Sequence, residues 1–218
     1  MRQALATALL CSASLTLFTP LSAQAETAGG FKLRPFVGIG FTSGGDTLQP
    51  VTLIPEGTTT EYQENVSAGG GIEARVGLAL RMSGLPVSLR ASVGAHNDQV
   101  NGSEGEKVYF RRFPVELQGV WHMGDRFSVG LGVRKATRAR LTYKNVSYTD
   151  GNGDTQTVGE VKTRFKSSLG LVLEAEYALT PAWSISGRYV REHFKTEGSA
   201  PERADADHVG ITTQWYFN

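Results

Sequence analysis

Apolar and polar residues alternate along most of the chain beyond residue 30. In the second predicted strand, one face carries Val66, Ala68, Ile72, Ala74, Val76, Leu78 and Leu80, and the other carries Ser67, Gly69, Gly71, Glu73, Arg75, Gly77 and Arg81. Successive side chains of a β-strand point to opposite faces. The alternation therefore predicts strands with one apolar face and one small or charged face.

Turn residues divide the alternating segments into eight strands. We predict strands at 31–43, 62–82, 86–97, 108–122, 126–143, 158–178, 182–196 and 207–217. The connections alternate between short turns, at 83–85, 123–125 and 179–181, and long loops, at 44–61, 98–107, 144–157 and 197–206. An even number of strands with this alternation is typical of barrels that cross the bacterial outer membrane, with the long loops outside the cell.

The alternation fits two barrels: a lipocalin-like soluble barrel with the apolar face inside, and a membrane barrel with that face outside. The aromatic residues of the apolar face decide between them, because they lie beside the short turns and predict a girdle at a bilayer interface: Trp121, Phe127, Tyr177, Trp183, Trp215 and Phe217. Glycines on the charged face suit a narrow interior. We therefore predict an all-β fold, an eight-stranded antiparallel transmembrane up-and-down β-barrel.

The two ends of the chain agree with export to the outer membrane. Arg2, two apolar stretches at 4–10 and 15–21, and Ala23-Gln24-Ala25 predict a signal peptide at 1–25 and a barrel at 26–218. The alternative, a membrane anchor, is disfavoured because serines and a proline interrupt the apolar stretch. The segment 208–217 resembles the carboxy-terminal strand by which the barrel-assembly machinery recognises outer-membrane barrels.

Composition excludes several classes of function. Without Arg2, 21 basic and 21 acidic residues remain, so the mature chain has no bulk attraction for nucleic acid. Cys11 is the only cysteine and leaves with the signal peptide, which excludes disulfides and thiol chemistry. No histidine pair has the spacing of a metal site, and we expect no metal and no cofactor.

The charged face predicts an ion network inside the barrel. Its members are Glu73, Arg75, Arg90, Glu116, Arg134, Glu174, Glu176 and Arg188. Because buried charges are unfavourable unless they are paired, the main expectation is a network of salt bridges that plugs the lumen. Two alternatives stay open: a gate in which an arginine exchanges glutamate partners, and a carboxylate pair that acts as acid and base.

Three cations on the outward face predict contact with lipopolysaccharide. Arg111, Lys135 and Arg191 lie about eight to ten residues from the aromatic girdle, close to the length that crosses the hydrocarbon layer. They would then lie at the outer head groups, near phosphates. Ordinary snorkelling or a shift of parity at a bulge would explain them equally well.

The whole mature chain resembles the family of small outer-membrane β-barrels typified by outer-membrane proteins A and X (OmpA and OmpX). The resemblance implies a monomer in the outer membrane of a Gram-negative bacterium that braces the membrane, adheres, or responds to envelope stress. We expect a non-enzymatic protein with a structural or surface-interaction role through its extracellular loops. Two alternatives are a narrow, porin-like channel for small or hydrophobic solutes and a lipid A or phospholipid hydrolase that uses His193 or His208 with Ser199 and Glu192 or Glu197.

Overall fold

The computed structural model describes residues 30–53, 62–101, 106–149, 155–197 and 202–217. The predicted signal peptide lies outside the described residues. Among the residues described, no helix has the length and apolar character needed to cross a membrane.

The described residues form strands almost throughout. Their bounds are β1 Phe31–Gly44, β2 Thr47–Leu53, β3 Tyr62–Ser67, β4 Gly71–Met82, β5 Val87–Asn101, β6 Lys107–Met123, β7 Phe127–Thr149, β8 Thr155–Ser167, β9 Gly170–Ala178, β10 Trp183–Arg191, β11 His193–Thr196, β12 Arg203–Asp205 and β13 His208–Tyr216.

Eight of these strands close into a ring. The antiparallel order is β1-β4-β5-β6-β7-β9-β10-β13, and β13 returns to pair with β1. Val37 marks the closure, because it pairs with Val76 of β4 on one side and with Trp215 of β13 on the other. The predicted eight-stranded antiparallel barrel is confirmed.

The apolar face of the ring points outward. Val76 and Ile211 are 53% and 64% exposed, whereas Arg75 and Thr212, their neighbours in sequence, are buried inside the ring. A soluble barrel would show the opposite arrangement. The choice of a membrane barrel over a lipocalin-like barrel is therefore confirmed.

The predicted strand 62–82 is wrong in one respect, because it is two strands of opposite parity. Val66 and Ala68 are buried, not outward, while Ile72 is exposed as predicted. The reversal occurs at Gly71, whose φ is +109°, and a Cβ there would lie 2.2 Å from the carbonyl oxygen of Asn97. Only glycine fits such a backbone without strain. The glycine run therefore changes which face is apolar.

Two further predicted strands are also interrupted, although the inward parity changes only in the first. The segment 158–178 divides into β8 and β9 at residues 168–169, and 182–196 divides into β10 and β11 at Glu192. Beyond these breaks β8 pairs with β7 and β11, and β11 pairs with β12. The predicted long loops at 44–61 and 197–206 contain β2 and β12, so the prediction of loops there is wrong.

This extension at the long-loop end has an apolar core of its own. Its members, drawn from strands β3, β5 to β8, β11 and β12 and the segments beside them, include Val66, Val100, Val108, Phe110, Leu141, Phe165, Phe194 and Ala206. The ring of Phe110 contacts those of Phe165 and Phe194 edge to face, with centroids 5.4 Å apart in each case. Apolar side chains therefore fill this end of the interior.

Candidate functional site

The barrel interior holds a charged cluster in its middle. All eight ionic residues predicted from the charged face are buried there, together with Arg112 and Glu192. The buried charged residues of the described chain are thus five arginines and five glutamates: Arg75, Arg90, Arg112, Arg134, Arg188, Glu73, Glu116, Glu174, Glu176 and Glu192. We call this set the luminal network.

Short ion pairs connect the network across the lumen. Arg75 donates to both oxygens of Glu174 at 2.9 and 2.7 Å, a forked contact that only a guanidinium can make. Arg188 donates to Glu73 and Glu116, each at 2.7 Å. The contacts join β4, β6, β9 and β10, which are far apart in sequence. The network therefore ties opposite walls of the barrel together.

Arg134 lies where the network meets the long-loop end. Its Nη1 donates to Glu73 at 2.9 Å and to Glu116 at 2.8 Å, and its Nε lies 3.4 Å from Glu192. Glu192 also lies 3.9 Å from the Nε of Arg112. Sequence reasoning missed both Arg112 and Glu192. The signal was present for both residues, since Arg112 shares the inward parity of Glu116 and Glu192 shares that of Arg188.

The balance of charge in the network defines its role in the fold. A buried charge is costly unless it is paired and hydrogen-bonded. Five positive and five negative groups cancel, and every member lies within 4.0 Å of an opposite charge. Such a neutral, close-packed arrangement fills the lumen and leaves no net charge to attract an ion.

Two histidines lie at the upper edge of the network. Glu73, His96 and His208 present ligand-type atoms within 4.8 Å of one another, a grouping that their sequence spacing did not predict. A metal does not fit there. Both carboxylate oxygens of Glu73 accept from arginines, and a guanidinium nitrogen of Arg112 lies 3.0 Å from the Nε2 of His96. A cation at this point would face positive charge on several sides.

The proposed hydrolase residues do not converge within the described chain. His208 is buried and donates from Nδ1 to the carbonyl oxygen of Ala206 at 2.7 Å. His193 pairs through Nδ1 with Asp205 at 3.0 Å, but its Nε2 faces Arg203 at 3.2 Å where a serine hydroxyl would be required. Ser199 lies outside the described residues. The hydrogen bond from Arg203 and the charge of His193 lower the pKa of Asp205, so this carboxylate stays ionised.

Cations are concentrated on the outer wall at the long-loop end. Arg111, Lys135 and Arg191 are all exposed there, as predicted from parity. The pairing of β7, β8, β11 and β12 adds two cross-strand rows of cations: Arg140 opposite Arg164, and Lys166 opposite Lys195 opposite Arg203. We call these five residues the cationic wall. Sequence reasoning missed it, because the rows exist only through pairings between distant segments.

The six aromatic residues beside the short turns are all exposed on the outside of the ring. Trp183 pairs with Trp215 in register, with stacked rings 6.4 Å apart, and Phe127 pairs with Tyr177. Trp121 lies across the strand from Val129, two residues along β7 from Phe127. The aromatic side chains thus occupy one height on the barrel.

A comparison with protein families decides the wider assignment. The model of the outer membrane protein beta-barrel domain family matches residues 9–217, nearly the whole chain. The chain belongs to this family. Its location is accordingly the outer membrane. In barrels of this kind the short turns lie in the periplasm and the long loops lie outside the cell.

The chain is also similar to several solved structures of outer-membrane proteins. Ail, the attachment invasion locus protein of Yersinia pestis, solved with the heparin analogue sucrose octasulfate, is 10% identical with a TM-score of 0.47, covering 87% of this chain and 99% of Ail. Neisserial surface protein A is 12% identical with a TM-score of 0.43, covering 87% and 98%. The outer membrane protease OmpT of Escherichia coli is 14% identical with a TM-score of 0.38, covering 85% and 96%.

These similarities are too low to transfer a function from any of the three proteins to this chain. The comparison with curated protein sequences gives no match.

Proposed function

We propose that this chain is a non-enzymatic outer-membrane barrel whose extracellular sheet binds the phosphates of lipopolysaccharide. The observation that carries the proposal is the cationic wall. Like charges directly opposite one another on neighbouring strands destabilise a sheet. Arg140, Arg164, Lys166 and Lys195 nevertheless lie in such pairs, and none has an ion pair with a described residue. A polyanionic ligand would offset this repulsion.

The height of the wall favours lipopolysaccharide as that ligand. Arg134 pairs with Gly170, so Lys135 and Arg191 lie near the break between β8 and β9. Lys166 lies three residues beyond Leu169, or about 10 Å further out at 3.3 Å per residue. The cations therefore extend from the expected head-group level outward into the layer of phosphorylated sugars. Arg111, Lys135 and Arg191 would hold the lower phosphates and the wall the upper ones.

The interior argues against the channel alternative. A solute would have to pass the neutral luminal network and then the apolar core around Phe110, Phe165 and Phe194, all of which are buried. The surroundings of His193 argue against the hydrolase, since Arg203 lies where the nucleophile would be needed. The outer surface is left as the functional part of the barrel.

The test compares two double variants of the same sheet. Lys166→Gln/Lys195→Gln removes two cations that have no ion pair with a described residue, and Lys144→Gln/Lys162→Gln removes two cations that pair with Glu160. At about 1 kcal/mol per surface cation, the first variant should bind lipopolysaccharide at least about tenfold more weakly, measured by thermophoresis in detergent. The second should stay within about threefold, because Glu160 already offsets its charges. Equal losses in both variants, or no binding by the parent protein, would contradict the proposal.

A further inference from the structure

The periplasmic end of the barrel contains a cavity that the luminal network does not fill. Its volume is about 410 Å³, and its lining includes the turn residues 124–126 and 179–181. The cavity therefore opens between the periplasmic turns. We call it the vestibule.

The choice of small inward residues creates the vestibule. An eight-stranded barrel has an interior just wide enough to be filled by side chains. At this level, however, five inward positions carry alanine or serine: Ala79, Ser88, Ser128, Ala178 and Ser184. These positions come from β4, β5, β7, β9 and β10, so space is left on most sides of the ring.

The vestibule carries an excess of positive charge. Arg90 and Glu176 line it but belong to the balanced network. The remaining charged lining residues are Arg34, Arg81 and Arg126 against Asp125 alone, which gives three cations and one acid. The charges of the vestibule therefore do not balance as those of the luminal network do, and the excess positive charge would attract an anion.

Several hydrogen-bonding groups of the vestibule have no partner among the described residues. Ser184 is 1% exposed, and its Oγ has none. Arg34 donates from Nη2 to the carbonyl oxygen of Pro181 at 2.7 Å and lies over the ring of Tyr216, while its Nε is buried without a partner. Arg81 has neither an ion pair nor a hydrogen bond within the described chain. The vestibule thus offers both free hydrogen-bond donors and positive charge to a ligand.

We propose that the vestibule binds a phosphate ester group presented from the periplasm. Guanidinium groups recognise phosphate through paired N–H donors, and the cavity has the size of a small-molecule site. The phosphate would lie between Arg34 and Arg81, with the Ser184 hydroxyl as a further donor. This site faces the periplasm, so it is independent of the lipopolysaccharide surface at the opposite end.

The test is calorimetric titration of the full mature barrel in dodecyl maltoside, a detergent without phosphate, with sn-glycerol 3-phosphate. Arg34→Gln/Arg81→Gln should bind at least about tenfold more weakly, since it removes two positive charges and their charge-assisted hydrogen bonds to the phosphate. The control Lys144→Gln/Lys162→Gln, whose cations lie at the other end, should bind like the parent. Glycerol, which lacks the phosphate, should not bind.

Two further variants distinguish loss of the binding site from loss of the folded barrel. Arg81→Gln alone changes an exposed residue and should weaken binding while the barrel keeps its heat-dependent gel mobility. Ser128→Leu leaves every charge in place but fills the cavity, and it should abolish binding. No binding by the parent, or unchanged binding by Arg34→Gln/Arg81→Gln, overturns the proposal.

The same titration in phospholipid nanodiscs identifies the source of the phosphate. Affinity at least about tenfold weaker than in maltoside would show that lipid head groups of the inner leaflet compete for the vestibule. Equal affinity in both media would identify a soluble phosphate ester of the periplasm as the ligand.

Discussion

Replacing Arg134 with methionine should lower the free energy of unfolding by about 3–5 kcal/mol, because breaking a buried pair leaves charges without compensation. Arg134 is fully buried and contacts Glu73, Glu116 and Glu192 within 3.4 Å. Its loss leaves five glutamates facing four arginines. The measurement is urea unfolding of the barrel refolded in phospholipid vesicles, followed by tryptophan fluorescence.

The controls separate charge balance from lost packing. Arg134→Met/Glu192→Gln restores four positive and four negative groups, and we expect it to recover part of the lost stability. Lys162→Met removes an exposed partner of Glu160 and should cost less than about 1 kcal/mol. A cost for Arg134→Met as small as that of Lys162→Met would be incompatible with a luminal network that stabilises the barrel.

Truncating Phe110 to alanine should destabilise the extracellular sheet by about 3–5 kcal/mol, the usual cost of removing a buried aromatic ring. Phe110 is fully buried and contacts the rings of Phe165 and Phe194. Because the ring lies beyond the luminal network, we expect the extracellular strands to open while the membrane part holds. Limited proteolysis should cleave the variant faster within β7 and β8, and its heat-dependent gel mobility should persist.

Val161→Ala provides the matched control for Phe110→Ala. Val161 lies on the same face of β8 as Phe165, four residues nearer the tip of the sheet, but its side chain is exposed. Its truncation should change stability by no more than about 0.5 kcal/mol and leave proteolysis unchanged. Unchanged protease resistance in Phe110→Ala would show that the apolar core does not hold the extracellular sheet.

Sequence alternation predicted the membrane part of the fold well, because two physical constraints enforce a period of two there. Lipid requires apolar residues such as Val76 and Leu131 outside, and the narrow lumen requires small or paired charged residues such as Glu73 and Gly132 inside. The inward position of all eight predicted ionic side chains follows from the same alternation. Parity alone was sufficient to find them.

Above the membrane the same rule failed, because the apolar residues change sides. Ile72 faces lipid, but Val66, on the preceding strand, packs inward against the extracellular core. Alternation does not report whether an apolar face meets lipid or a core, and the reversal depends on the backbone at Gly71. The glycine run at 69–71 indicated curvature but not a change of parity.

Partner choice within the network could not be predicted either. Arg75 and Glu174 are 99 residues apart in sequence, and only strand order and register bring them together. The cationic wall has the same origin, since Lys166, Lys195 and Arg203 become neighbours only when β8, β11 and β12 pair. The small residues of the vestibule were visible as a composition, but only closure of the ring brings them to one height.

The most direct test of the account is the conductance of the full mature barrel in a planar lipid bilayer. We expect no current steps at moderate voltage, because the luminal network and the apolar core close the interior at two successive levels. Steady ohmic openings of the parent protein, altered by neutralising Glu73 or Arg134, would contradict a plugged barrel. They would favour a channel through the lumen.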